Sequence, residues 1–215
     1  MNYPEYVVID NERYDINTDF RVAIECNEIA DDDSIGDYER CLAIIYKLFG
    51  EKGLNAIEHH TELIEYAKVY FLCGKPEKKR KENEKLDMDF IQDMPYIEAS
   101  FMSDYKISLE ETHMHLWKFM QLMEGLSNSE LGSCCILNRI RNYRRIDPSK
   151  IKDVKERQEV IETQKEIAIK KYEKKKQPTQ KQKESADELY KLLKIRREWF
   201  YGWLRWRSNC WNKSW

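Results

Sequence analysis

The sequence is poor in turn-forming residues and has no long apolar run. Only seven glycines and five prolines occur in 215 residues, so a fold of many short strands joined by tight turns is not expected. No apolar run approaches the roughly 20 residues of a membrane-spanning helix. The opening MNYPEYVVIDNERY lacks the basic and apolar regions of a secretory signal. We therefore predict a mainly α-helical, cytoplasmic protein that does not bind membranes.

Patterns for metal binding, disulfides and catalysis are also missing. The six cysteines form no CxxC pair, which favours buried thiols over a disulfide or a zinc site. The acidic run 31–33 lacks the ligand series of a calcium-binding EF-hand and is better explained as the start of a helix. No GxSxG motif, phosphate-binding glycine loop or Cys/His pair occurs. We predict that the protein is not an enzyme and uses no cofactor, metal or catalytic residue.

Charge divides the chain into an acidic body and a basic extension. Residues 1–149 contain 18 Lys and Arg and 29 Asp and Glu, for a net charge of −11, whereas residues 150–215 contain 19 and 10, for a net charge of +9. This division predicts an acidic helical body over residues 1–147 and a basic helical extension over residues 148–215.

The body opens with alternating apolar and polar residues. In EYVVIDNERYDINTDFR the alternation runs on both sides of Asp10-Asn11-Glu12, with Val8 matched by Tyr14 and Ile16. This pattern predicts a small β-hairpin that must dock on the rest of the body. Residues 18–30 fit either a short helix or an extended segment.

Two helices are predicted next. Ser34-x-x-Asp37 has the form of a capping box, and Gly50 or Gly53 would end the helix that it starts. The adjacent His59 and His60 point in different directions on a helix, so we expect surface or boundary positions for them. One side of the second helix would comprise Ile57, Thr61, Ile64, Ala67 or Lys68, and Phe71. The charged residues 75–85 then predict a solvated linker.

The stretch after the linker contains the best-defined predicted helix. Asp93-Met94-Pro95 predicts a helix start or a kink, and Ser108-x-x-Glu111 predicts a capping box before THMHLWKFMQLMEGL, residues 112–126. His113 and His115 would lie about 200° apart around a helix, too far to share a metal, so we expect one at the core boundary and the other more exposed. The predicted buried face comprises Leu109, Leu116, Phe119, Met120, Met123 and Leu126, with Gly125 at the end.

Four stretches in order resemble the bacteriophage gene-product-fifteen family of siphophages and prophages of Gram-positive bacteria. They are YDINTDFR, PYIEASFMSDYKISL, HLWKFMQLMEGL and NRIRNYRRIDPSKIKDVKERQE, and they run from Tyr14 to about Glu159. Two departures are visible. The paired tryptophans of the family correspond to Leu116-Trp117 here, and the segment from Leu131 to Arg145 has additional basic residues.

The resemblance implies a role in tail morphogenesis. Members resemble tail assembly chaperones, which bind the long helical tape measure protein in the host cytoplasm before tail-tube subunits polymerise around it. The tape measure protein is therefore the expected partner, with the tail tube protein and a second copy of the chain as further candidates. The resemblance provides no catalytic residues.

Apolar residues of the predicted helix are candidates for binding that partner. A groove that masks exposed helical stretches requires adaptable methionine and aromatic side chains. Met114, Trp117, Phe119, Met120 and Met123 have this character, although a stripe at helical spacing also suits a buried core. We take Trp117, Met120 and Met123 as candidate partner-binding residues.

The basic extension supplies a second set of candidates. Asp147 and Pro148 predict the start of a long exposed helix, Pro178 interrupts it, and a second helix is predicted from about Ser185. Five of the six tryptophans fall in the last 17 residues among arginines. This aromatic surface either folds back onto the body, forms a protein interface, or binds nucleic acid or a membrane surface. The candidate partner-binding residues here are Trp199, Trp203, Arg205 and Trp206.

Two further functions stay open from the sequence. The basic, Trp- and Arg-rich extension would suit a nucleic-acid-binding phage accessory protein, although nucleic acid is the less expected partner. The chain would also suit a minor structural protein of the virion.

Overall fold

The computed structural model describes residues 3–32, 34–76, 86–128 and 134–170. Over these residues the chain forms one two-stranded antiparallel sheet and seven α-helices, which confirms the prediction of a mainly α fold with a small N-terminal hairpin. The strands are β1 (Tyr6–Ile9) and β2 (Glu12–Asp15). The helices are α1 (Phe20–Asp31), α2 (Asp37–Asn55), α3 (His60–Phe71), α4 (Met94–Tyr105), α5 (Leu116–Glu124), α6 (Ile136–Arg145) and α7 (Val154–Glu166).

The described chain forms two compact units. The first unit comprises residues 3–76 and 114–121, and the second comprises residues 86–113 and 122–170. Most of the predicted linker and the predicted Trp-rich helix, with its four candidate residues, lie outside the described residues. The predicted domain division between residues 147 and 148 stays a prediction.

The hairpin turns at two residues with left-handed backbone conformations. Asp10 and Asn11 have φ values of 47° and 67°, as a two-residue type I′ turn requires. The register pairs Val7 with Tyr14 and Val8 with Arg13. The expected match of Val8 with Tyr14 is therefore wrong, because residues directly opposite share a face and Val7 is the one opposite Tyr14.

Residues 18–30, which were open to two interpretations, are mainly helical. Asp19 caps α1, and its Oδ1 accepts a hydrogen bond from the Arg21 backbone N–H at 2.8 Å. The acidic run does not start a helix, since Asp31 is the last residue of α1 and Asp32 follows it. The Asp32 side chain accepts hydrogen bonds from the backbone N–H and hydroxyl of Ser34. The predicted capping box at Ser34 is therefore wrong, and α2 begins at Asp37.

Helix α2 bends at Gly50, where φ is +68°, and continues to Asn55. The two histidines that follow are buried, contrary to the expected surface or boundary positions, with exposed fractions of 8% for His59 and 3% for His60. Each ring has a polar partner. His59 Nδ1 lies 2.7 Å from Tyr14 Oη, and His60 Nε2 lies 2.9 Å from the Leu54 carbonyl oxygen.

The predicted side of α3 is partly wrong. Ile57 lies before the helix and is 68% exposed. The helix buries His60, Leu63, Ala67, Tyr70 and Phe71.

In the second unit, α4 begins at Met94 with Pro95 in its first turn, which confirms the predicted start. Helix α7 begins at Val154 rather than at Pro148. Asp147 caps only a short 3-10 turn, and Asp153 caps α7 by accepting the Glu156 backbone N–H at 2.9 Å. Helix α7 is largely exposed, as expected, with Val160 as its buried residue.

Helix α5 begins at Leu116, so the predicted capping box at Ser108 is wrong. Residues 106–115 are not helical. The predicted buried face is nevertheless confirmed, because all six residues are at most 4% exposed: Leu109, Leu116, Phe119, Met120, Met123 and Leu126.

Candidate partner-binding surface

The candidate residues on α5 differ in accessibility. Trp117 is half-buried, whereas Met120 and Met123 are 3% and 4% exposed. The two methionines therefore pack in the core, and only Trp117 among the three presents part of its side chain at the surface. A role for these residues in binding a partner stays a prediction.

Trp117 is held rigidly within the first unit. Its Nε1–H donates to the Tyr70 carbonyl oxygen at 2.9 Å. Its ring also packs beside Gly74, where a Cβ would lie 3.3 Å from Trp117 Cη2. Gly74 has a φ of +70° in the turn after α3, a conformation that glycine adopts without strain. Because the only polar group of the side chain is already bonded, the accessible part of Trp117 is apolar.

His115 explains how Trp117 is positioned. His115 Nδ1 accepts the Trp117 backbone N–H at 3.0 Å, in the manner of a helix cap for α5. The proton therefore resides on Nε2, which donates to the Pro4 carbonyl oxygen at 3.0 Å. His115 is half-buried and His113 is exposed, which confirms the expected difference between them. Neither histidine lies in α5, so the predicted separation of about 200° around a helix does not describe them.

Five rings of the first unit form an aromatic cluster: Tyr3, Tyr66, Tyr70, His115 and Trp117. Successive ring centroids are separated by 4.8 to 6.5 Å. Tyr70 is 1% exposed, burial raises the pKa of its phenol well above the usual range, and its hydroxyl has no hydrogen-bond partner within the described chain. The other four rings are half-buried. Rigid, partly exposed aromatic side chains of this kind commonly anchor protein interfaces.

A shallow groove of about 430 Å³ lies beside the bend in α2. Tyr46, which is 48% exposed, lines the groove. Lys47 Nζ donates a hydrogen bond to Glu25 Oε2 at 2.7 Å. The groove combines polar and apolar residues, namely Asp15, Ile16, Asn17, Tyr46, Lys47, Leu48, Phe49, Gly50 and Glu51. Its shallow form suits a peptide side chain better than an enclosed small molecule.

A buried polar contact joins the hairpin to the segment before α3. The Tyr14 hydroxyl donates to Glu12 Oε2 at 2.9 Å and lies 2.7 Å from His59 Nδ1. Burial and then the hydrogen bond to Glu12 raise the pKa of Tyr14 to about 12. Tyr14 therefore remains protonated at neutral pH and acts as a docking contact for the hairpin.

The second unit buries ion pairs that the sequence did not reveal. Arg144 binds both carboxylate oxygens of Asp93 at 2.6 and 2.7 Å, and it also donates to the carbonyl oxygens of Asp87 and Ile167. The Asp93 and Arg144 side chains are 0% and 6% exposed. The Asp87 side chain pairs with Arg141 and with Arg145. The additional basic residues of NRIRNYRR thus neutralise two carboxylates near the start of α4.

The comparison with protein families finds one family whose model covers most of the chain. The family model described as Bacteriophage Gp15 protein matches residues 3–169. The chain belongs to this family. It is therefore a phage protein, and the earlier resemblance to the gene-product-fifteen family is confirmed. No curated protein and no solved structure matches the chain.

The Gp15 match includes the first unit, the second unit up to residue 169, and all four stretches that carried the resemblance. It includes every residue of the aromatic cluster. Residues 170–215, which contain the candidate tryptophans of the extension, lie beyond the match.

The cysteines of this Gp15 family member have a packing role in the described chain. Cys26, Cys41 and Cys135 are buried free thiols, and Cys73 and Cys134 are half-buried. Burial raises the pKa values of Cys26 and Cys41 to about 12, so neither thiol is a nucleophile near neutral pH.

No group of three or more His, Cys, Asp or Glu side chains within the described ranges is arranged to hold a metal ion. Among the described helices, none is long and apolar enough to cross a membrane.

Proposed function

We propose that this Gp15 family protein is a tail assembly chaperone that binds the tape measure protein in the host cytoplasm, in a siphophage or prophage of Gram-positive bacteria. Family membership and the partly exposed, hydrogen-bonded Trp117 support the proposal. In this role the chain acts by binding, without catalytic residues or a cofactor. The tail tube protein and a second copy of the chain are further candidate partners.

The aromatic cluster has the properties that such a chaperone needs. A tape measure protein exposes apolar helical stretches before the tube forms around it, and a partner must mask them at low entropic cost. Trp117 is fixed by Tyr70, Gly74 and the capping His115 before any partner binds. A side chain that is already ordered loses little conformational entropy on binding.

The charge of the first unit complements this apolar contact. Residues 3–76 and 114–121 contain 16 Asp and Glu and 8 Lys and Arg. The resulting negative charge keeps a complex with an apolar partner in solution.

Co-expression with the tape measure protein encoded beside this chain tests the proposal. We expect a soluble complex that co-purifies, and we expect Trp117→Ala to weaken it about tenfold or more, as for an interface anchor. Tyr143→Ala is the matched control, since Tyr143 is an exposed aromatic residue of the second unit at 40% exposure. Trp117→Phe keeps an aromatic ring but removes the Nε1 hydrogen bond, so it separates the contribution of the ring from that of the bond. The proposal would be contradicted if the tape measure protein were equally soluble without this chain and did not co-purify with it.

A second candidate function rests on the extension beyond the family match. Residues 171–215 contain 13 Lys and Arg, 5 Asp and Glu, and five tryptophans, a composition that suits single-stranded nucleic acid. Binding to DNA should then weaken with salt and disappear on truncation after Lys176. DNA affinity unchanged by that truncation would reject this function. Mass spectrometry of purified particles would test the third possibility, a minor virion protein.

A further inference from the structure

The hydrogen-bonding pattern of the hairpin shows which backbone groups face outward. In a two-residue type I′ hairpin the pair next to the turn, here Ile9 and Glu12, is hydrogen-bonded, and bonded and non-bonded pairs then alternate. The bond from the Ile16 N–H to the Glu5 carbonyl oxygen, at 2.8 Å, fits this alternation. Tyr6 and Val8 therefore point their backbone N–H and C=O groups away from β2.

The two edges of the hairpin are not equivalent. On the β2 edge, the outward carbonyl oxygen of Arg13 accepts a hydrogen bond from Lys52 Nζ at 2.7 Å, and Asp15 borders the groove beside α2. On the β1 edge, the outward groups of Tyr6 and Val8 have no hydrogen-bond partner within the described residues. Within the described residues, β1 is therefore the edge on which no outward backbone group is hydrogen-bonded.

The side chains on this edge are also exposed and apolar. Tyr6 is 47% and Val8 is 54% exposed. They lie two residues apart on one face of the strand, where a neighbouring strand would place its own alternate side chains. Arg13 lies over the Tyr6 ring at 4.0 Å and bonds Asp15, so its charge is already compensated. An open edge with exposed apolar residues is a template for another strand.

We propose that β1 binds a partner polypeptide in extended conformation, in which apolar residues alternate with lysine or arginine. The backbone of the partner would pair with Tyr6 and Val8, as in β-strand addition, and its apolar side chains would cover these two residues. The charges favour a basic partner. Glu5, Asp10 and Glu12 of the hairpin are exposed acids in addition to the Arg13–Asp15 pair.

The same carboxylates disfavour pairing of β1 with a second copy of the chain, which would bring two acidic hairpins together. The proposal goes beyond tape measure binding, because it concerns a different surface and an extended rather than a helical partner. It is tested without the tape measure protein, so its failure would leave the proposed function unaffected.

The experiment uses the full-length protein and fluorescein-labelled octapeptides of alternating lysine and valine. We expect the lysine–valine peptide to bind in a salt-dependent way and to shift the amide NMR signals of Tyr6 and Val8. A glutamate–valine peptide should bind about tenfold more weakly or not at all, because its charge matches that of the hairpin. A lysine–valine peptide N-methylated at alternate residues keeps its charge but cannot form the ladder, and it should also lose binding.

Two variants at one position provide a matched pair. Val8→Pro removes the outward N–H without removing a hydrogen bond between β1 and β2, whereas Val8→Thr keeps the N–H and the branched shape. Val8→Pro should weaken binding about tenfold, the effect of losing one backbone hydrogen bond. Val8→Thr should bind within about twofold of the unsubstituted chain. Circular dichroism would check that both variants keep their helices.

Three results would overturn the proposal. The first is equal binding of the N-methylated and unmethylated peptides to the unsubstituted protein, which needs no variant to fold. The second is a set of amide shifts confined to the aromatic cluster. The third is a dimer, detected by light scattering, that Val8→Pro abolishes, because β1 would then pair with a second copy.

Discussion

The two units of this phage protein differ in how far apart in sequence their buried charges lie. In the first unit the buried pair is local, between Asp37 and Arg40 three residues later on α2, and Phe119 is fully buried in an aromatic stack. In the second unit, Asp93 and the distant Arg144 are buried as a bidentate ion pair. Apolar packing tolerates small shifts of the chain, whereas a buried ion pair requires both partners in place. Loss of Phe119 and loss of Asp93 should therefore have different remedies.

The largest expected effect tests the apolar interior of the first unit. Phe119 is fully buried, so Phe119→Ala should lower the free energy of unfolding by about 3–5 kcal/mol through lost burial and a residual cavity. Urea unfolding followed by circular dichroism measures this loss. Lys118→Ala, at the exposed neighbouring position, should change it by no more than about 0.5 kcal/mol. Equal effects of the two substitutions would contradict the assignment of Phe119 to the core.

The next effect tests the ion pair of the second unit. Asp93→Ala leaves Arg144 buried without its carboxylate and should cost about 3–5 kcal/mol, at the lower end if water enters. The double variant Asp93→Leu with Arg144→Met should recover part of this loss, because it removes both charges and keeps apolar volume. Urea unfolding of the single and double variants measures the recovery. A double variant that loses the sum of the two single effects would show that the pair is not coupled.

A smaller effect is expected at the cap of α5. His115→Ala removes the acceptor for the Trp117 N–H and the bond to Pro4, and should cost about 1–2 kcal/mol. His115→Asn is the control, because asparagine also caps helices and should lose less. Thermal unfolding monitored by tryptophan fluorescence measures both. Identical losses for Ala and Asn would argue that ring packing, rather than capping, is what matters.

The smallest effect is visible only in alkali. The pKa of Tyr14 is raised to about 12 in the folded chain from its ordinary value near 10. The folded state therefore holds this proton more tightly, so the stabilisation is complete below pH 10 and is lost as the pH rises from 10 to 12. Tyr14→Phe should flatten this part of the stability profile. Midpoints of urea unfolding at several pH values between 10 and 12 would measure this change in stability. If the substitution left the pH dependence unchanged, the loss of stability in alkali would belong to other groups such as Tyr70.

The sequence predicted some parts of the candidate surface better than others. Helical periodicity identified the buried face of α5, because side chains at such spacing share one side of a helix, whereas Trp117 was chosen for its aromatic character. Tyr3, Tyr66 and Tyr70 were missed, since nothing local shows that three distant segments converge on Trp117. His59 and His60 were expected at surface or boundary positions, because the adjacent pair does not show that their rings find buried polar partners in Tyr14 and the Leu54 carbonyl oxygen.

The predicted capping box at Ser108 shows that a local pattern is not sufficient to locate the start of a helix. Ser108 satisfies the pattern, yet α5 begins eight residues later, where the chain pairs with the segment before α1. The Leu116 N–H donates to the Thr18 carbonyl oxygen at 2.8 Å, and the Phe20 N–H donates to the Met114 carbonyl oxygen at 3.0 Å. These backbone bonds hold Met114 and His115 beside the segment before α1, which a helix from Ser108 would not allow.

By itself, the sequence determined the mainly helical class, the hairpin and its turn, the buried face of α5 and the phage family, because periodicity and motif order are properties of the chain. The tertiary structure alone decided where helices begin, which carboxylates Arg141 and Arg144 neutralise, and which hairpin edge stays open. Each of these depends on groups far apart in sequence that compete for the same hydrogen bonds. Their outcome is determined only when the chain folds and brings those groups together.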